Sequence, residues 1–166
     1  APRPRPAPGA PGECISLNIY PVGLAHVHGG QRYVMGFYDH YSQVDKVFLL
    51  HHKSDAAACI SKYLAWCKSH GVTVRRLHTD NAPEFHVADI RNLCDDRAIR
   101  ITTCAPNEPR GNGVMERRWR IMGNDARASL LASNCAPNYW WYFLRNAVMV
   151  SNSIPNSKGT TPWFDF

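Results

Sequence analysis

The chain has 166 residues, enough for one domain with a sizeable core, and its 45% hydrophobic and 19% charged residues belong to a folded globular protein rather than a disordered one. No apolar run approaches the length of a membrane span, and the Pro-rich start lacks the charged-then-apolar order of a secretory signal, so an intracellular protein with no membrane partner is expected. A formal charge of +6 and a sequence pI near 9.2 suit a polyanionic partner such as nucleic acid.

Residues 1–12, APRPRPAPGAPG, are too rich in proline for a helix or a central strand and read as an extended linker, so the domain is expected to span 13–166. Cys14 to Tyr20 alternates Ile15, Leu17 and Ile19 against Ser16, Asn18 and Tyr20, the period of a strand. A Gly-containing loop over 21–30 follows, carrying His26 and His28, which are expected to be solvated turn residues rather than a metal pair. Gln31 to Asp39 and Val44 to Leu50 give two further strands joined by a short turn, so the first three strands should form an antiparallel meander.

Ser54 and Asp55 then resemble a helix start, and Ala57, Ile60, Leu64 and Cys67 form a helical stripe that ends at His70 and Gly71. A fourth strand, Val72 to Thr79, runs into Asp80 and breaks at Asn81-Ala82-Pro83. A helix over 86–97, a fifth strand over 98–103 and a turn-rich segment, NEPRGNG at 107–113, come next. Two long helices are expected over 114–133 and 137–151, the second crowded with Trp140, Trp141, Tyr142 and Phe143. Four consecutive aromatics cannot all face one way around a helix; about half should join the core and the rest a self-association surface. The order predicts an α/β protein with a mixed sheet. The six cysteines show no CxxC spacing and read as mostly buried free thiols.

Two carboxylates stand out by position. Asp80 ends a strand and Glu116 begins a helix, with positions 81 to 115 between them, 35 residues. Held on separate rigid elements, they can converge on a hard divalent cation such as Mg²⁺ or Mn²⁺. Each alone has an ordinary use: an aspartate caps a turn, and a glutamate suits a helix N-terminus. Two-metal phosphoryl transfer further calls for a bridging acid from a neighbouring strand.

LHTDNAPEF (77–85) together with CAPNEPRGNGVMERRWR (104–120) resembles the catalytic core of copia-type LTR retrotransposon integrases, relatives of retroviral integrases. GECISLNIYP, RYVMGFYDHYSQ, FLLHHKSDAAA and NSIPNSKGTTPWFDF are similar to further segments of that family in the same order. The resemblance implies an RNase H-like fold, a five-stranded mixed sheet flanked by helices. It also implies two Mg²⁺ or Mn²⁺ ions held by two aspartates and a glutamate. Carried over by position, the second aspartate is Asp80 and the glutamate Glu116, while the first falls on Asn18. An amide there gives up the anionic oxygen that would bridge both ions, so impaired or absent activity is expected.

By the same resemblance, Arg110 and Asn112 belong to a loop that meets the DNA end. Arg120 shares the face of Glu116 and suits a DNA phosphate or an ion pair with that glutamate, and Arg117, with Arg118 and Arg127, would extend the basic surface. Asn81 would orient substrate or cap its turn. The implied partners are retrotransposon cDNA ends, target DNA and further copies of the chain, in the nucleus or a cytoplasmic virus-like particle. No zinc-binding His/Cys module and no second DNA-binding domain flank the core within these residues, so full integration is not expected from this piece. The rival readings are an inactive DNA-binding or dimerisation module, and another RNase H-like nuclease or transposase.

Overall fold

The computed structural model describes residues 7–22, 30–103, 113–156 and 159–166. Five strands form one sheet in the order β3-β2-β1-β4-β5: β1 (Ile15–Pro21), β2 (Tyr33–Asp39), β3 (Asp45–Leu50), β4 (Arg76–Thr79) and β5 (Arg100–Thr103). The first three are antiparallel neighbours; β4 pairs parallel to β1, and β5 parallel to β4. The antiparallel meander, the mixed sheet and the RNase H-like arrangement are those expected from sequence.

The alternation in β1 divides the molecule into two sides. Ile15, Leu17 and Ile19 face a core completed by α1 (Ala56–Ser69) and α2 (Ala88–Asp95), where Tyr63 stacks on Phe37 at 4.0 Å. On the opposite side Val34 and Val47 pack with Met122 and Ala126 of α3 (Gly113–Ala132) and with Leu144 and Val148 of α4 (Trp140–Ser153). Trp140, Trp141 and Phe143 lie half-buried against this second core, and Tyr142 is 54% exposed. A one-turn helix α5 (Pro162–Asp165), absent from the sequence expectations, carries Trp163 towards α1, where Trp66 meets it edge-on.

Gly12 is buried and left-handed, with φ +81°, and a Cβ there would run into the Thr73 carbonyl. Its N–H donates to Asp39 Oδ2 at 2.6 Å, and its carbonyl accepts from Arg75 N at 2.8 Å. The end of the Pro-rich segment is thus tied into the folded domain. Asp39 Oδ1 accepts from the amides of Tyr41 and Ser42, each at 2.8 Å, so this fully buried carboxylate organises the β2–β3 turn and is committed to backbone donors.

Cys59, Cys67 and Cys94 are buried free thiols, and burial pushes Cys59 and Cys67 up to about 12 and Cys94 to about 11, which keeps them protonated and unreactive. Cys14 is half-buried; Cys135 is exposed; Cys104 lies outside the described residues, as do His26 and His28. Among the described residues no helix is long and apolar enough to cross a membrane.

Candidate active site

β1 and β4 pair in parallel with Ile15 opposite Leu77 and Ser16 opposite His78. Two residues further along each chain stand Asn18, still within β1, and Asp80, just past the end of β4. Both side chains belong to the sheet face that carries Ser16 and His78, away from the α1–α2 core. The third element arrives through packing. Asn18 pairs across the antiparallel ladder with Gly36, and a Cβ on Gly36 would sit 3.2 Å from the Met115 methyl. The missing side chain lets α3 approach the sheet at Asn18. Met115 is 1% exposed there, and the next residue is Glu116, in the first helical turn.

Tyr20, two residues along β1 from Asn18 and on the same face, reports how close these groups lie. Burial raises its hydroxyl well above the usual tyrosine range; the Asn18 side chain draws it back down, and the Glu116 and Asp80 carboxylates raise it again. One phenol thus senses all three positions. Tyr20 Oη nevertheless has no well-aligned hydrogen bond among the described residues.

The individual partners define the site's chemistry. Asp80 Oδ1 accepts from Ala82 N at 3.1 Å, the ordinary bond of a turn aspartate, which uses one of its two oxygens. Asn18 Oδ1 accepts from Ile19 N at 2.7 Å, so its carbonyl is folded back on its own backbone. Asn81 turns away and pairs with His86 Nε2 at 2.9 Å. Lys53 and Glu84 form an ion pair at 2.7 Å, and the Lys53 ammonium, which is raised first by its bond to Glu84, also senses the Asp80 charge.

Beyond Glu116, α3 presents an open cavity of about 390 Å³ lined by Tyr20, Glu116, Trp119, Arg120, Asn124 and Arg127. Arg117 and Arg120 are exposed, as expected of residues on the basic helix surface. Arg110 and Asn112 lie outside the described residues. Arg118 departs from expectation. Its guanidinium runs inward over the Tyr38 ring at 5.3 Å, ion-pairs with the buried Asp45, and donates to Ser151 Oγ at 2.8 Å. It ties α3 to β3 and α4, with most of its side chain turned inward.

The donor set can be tested against a divalent cation. Asp80 and Glu116 offer hard anionic oxygens, and the buried Tyr20 hydroxyl, without a well-aligned hydrogen bond, marks polar space beside them. These residues are of the kind that would hold a divalent ion. Among the described residues no group of three or more His, Cys, Asp or Glu side chains is placed to hold a metal.

Tyr20, Trp119, Lys53 and Glu84 escaped the sequence reading. The first two were within reach of it: the strand period puts Tyr20 on the face of Asn18, and Trp119 lies three residues beyond Glu116 on the same helix face.

No family model matches the chain. It is 26% identical over 129 residues to the retrovirus-related Pol polyprotein from transposon TNT 1-94 of Nicotiana tabacum, a match covering 77% of this chain and 10% of that one. Among solved structures, the HTLV-2 integrase catalytic core domain in complex with magnesium, in a trimeric form, superposes with a TM-score of 0.71 at 19% identity, covering 95% of this chain and 97% of that one. The simian T-cell lymphotropic virus intasome in complex with a PP2A regulatory subunit gives a TM-score of 0.77 at 19% identity, over 94% of this chain and 54% of that one. The chain therefore spans about a tenth of the curated relative's length, and its fold is that of integrase catalytic cores.

Proposed function

From a fold shared with retroviral integrase catalytic cores and a sequence related to a plant retrotransposon Pol polyprotein, we propose that this chain is the catalytic core of a copia-type integrase whose first metal-binding aspartate is replaced by Asn18. The reaction is phosphodiester transfer at DNA ends. The oxygen of water attacks a phosphorus near the 3′ end and the bridging 3′ oxygen leaves as a hydroxyl; that hydroxyl then attacks a target phosphorus in line, displacing a target 3′ oxygen. No covalent enzyme intermediate forms. The observation that supports the reading is the β1–β4 register, in which Asn18 and Asp80 each lie two residues beyond a paired position, with Glu116 in the first turn of α3.

In this account the protein supplies position and charge. Asp80 and Glu116 hold the ion, Arg120 and Arg117 neutralise DNA phosphates along α3, and the Gly36–Met115 contact fixes how far the helix stands from the sheet. When bound, a divalent ion supplies Lewis-acid stabilisation of the attacking and leaving oxygens.

A strand-transfer assay on the Asn18→Asp protein, with Asp80→Asn and Glu116→Gln added singly, tests the assignment. Each addition is expected to abolish transfer. Activity surviving either one would remove that residue from the site.

A second reading is favoured by the Asn18 Oδ1 bond to Ile19 N, which leaves the amide oxygen turned away from any ion. The chain would then serve as a DNA-binding or self-associating module. Tyr142 and Met149, exposed beside the free β3 edge, suit the second of these roles. DNA binding without any gain of transfer on Asn18→Asp would select this reading.

A further inference from the structure

We propose that Tyr20 is a substrate-contacting residue whose hydroxyl donates a hydrogen bond to a non-bridging phosphate oxygen of the DNA end held at Asp80 and Glu116. This rests on the proposed DNA-end chemistry and adds to it a contact from β1.

Three observations carry it. The Tyr20 ring is immobilised, lying parallel to the Trp119 indole at a centroid separation of 4.3 Å and an interplanar angle of 2°, while Trp140 braces Trp119 edge-on at 6.2 Å. Such a stack fixes where the hydroxyl points, because a tyrosine has only two side-chain torsions to set. The hydroxyl itself is buried and, beyond its interaction with the Asn18 side chain, makes no well-aligned hydrogen bond among the described residues, although a buried tyrosine ordinarily finds one. And the ring edges the cavity of about 390 Å³ whose other polar walls are Glu116, Arg120, Asn124 and Arg127. Two guanidinium groups in that wall suit an anionic ligand, and Glu116 requires that it come with a cation or keep its distance. A phosphodiester spanning the cavity from Arg120 towards Asp80 would present an acceptor oxygen to a donor that lacks a well-aligned one.

The geometry also explains why the stack spans β1 and α3. Trp119 sits one helical turn beyond Glu116, so the Tyr20–Trp119 contact sets the height of the helix turn that carries the carboxylate. Removing the hydroxyl alone separates the two roles, since Tyr20→Phe keeps the ring and the stack.

The test uses the protein as it stands, with Asn18 in place, and reads binding rather than turnover. Fluorescence anisotropy of a short labelled duplex with a recessed 3′ end, in Ca²⁺, is measured for the native chain and Tyr20→Phe. A parallel set of duplexes carries single methylphosphonates near that end. Tyr20→Phe should bind the unmodified duplex roughly 10-fold more weakly, the loss expected for one hydrogen bond to a charged acceptor. At one methylphosphonate position the two proteins should bind equally, because the acceptor oxygen is already gone. The melting temperature of Tyr20→Phe should be unchanged or higher, since an unpaired buried hydroxyl is lost. Equal binding of the unmodified duplex, or a 10-fold loss that persists at every methylphosphonate position, would overturn the contact. Failure of the native chain to bind any duplex more tightly than its Arg120→Ala variant would instead overturn the DNA-end reading, and the Tyr20 contact with it.

Discussion

Replacing Asn18 with aspartate is expected to raise Mn²⁺-dependent strand transfer from near background by on the order of 10²–10³-fold, the range seen when a single preorganised charge-stabilising group is returned to an active site. The reason lies in the sheet. Position 18 is the only one of the three that sits on the central strand, paired with Gly36 of β2, while Asp80 follows the end of β4 on the other side. A carboxylate there has two oxygens and a full charge, so one can accept from Ile19 N, as the amide oxygen does now, while the other faces Asp80 and Glu116. An amide must choose. The change is nearly isosteric, and the Tyr20 hydroxyl beside it would gain an anionic acceptor, so folding should be preserved. Transfer that stays at background in a folded Asn18→Asp protein would mean that the defect extends beyond this residue.

Arg118→Met is expected to destabilise the domain by about 3–5 kcal/mol, measured by urea unfolding, because it strands a carboxylate in the interior. Asp45 is 1% exposed; burial pushes its carboxyl above the usual range and Arg118 pulls it back by hydrogen bonding and charge. Its backbone is clasped by Asn152, whose Oδ1 accepts from Asp45 N and whose Nδ2 donates to Asp45 O, both at 2.9 Å, so the residue cannot swing out to water. Losing Arg118 raises the Asp45 carboxyl further in the folded state. A raised folded pKa means the folded protein holds the proton more tightly than the unfolded chain, so the deficit of the variant should be largest at neutral pH and shrink as pH falls towards the unfolded value of about 4. Asp45→Leu/Arg118→Met, which removes both charges, should recover most of the loss. A single variant as stable as the native chain at pH 7 would contradict a structural role for the pair.

The sequence carried the fold well where periodicity was clean. β1, β2 and β3 begin and end within two residues of their expected limits, since alternation marks a sheet face directly. The fourth strand is shorter than its apolar alternation from Val72 predicts. Val72 and Val74 are buried, but ladder pairing begins only at Arg76, so apolar alternation there records burial rather than hydrogen bonding. The short α5 has no periodicity to reveal it. Asp80 and Glu116 could be singled out because strand ends and helix starts leave local marks. The fate of Arg118 could not: its partners, Asp45 and Ser151, lie 73 and 33 residues away, and nothing in MERRWR distinguishes the arginine that turns inward from those that face solvent. Gly36 was likewise silent, because its value lies in the methionine it admits.

On the proposed reading, the site presents two metal-binding carboxylates where three would complete it. Mn²⁺ titration of the native chain, Asn18→Asp and Asn18→Asp/Asp80→Asn, followed by calorimetry and by the electron paramagnetic resonance of free Mn²⁺, tests this directly. Weak binding of a single ion to the native chain is expected. Asn18→Asp should bind at least 10–100-fold more tightly and take a second ion, both gains being lost on adding Asp80→Asn. Equal stoichiometry and affinity for the native chain and Asn18→Asp would contradict it.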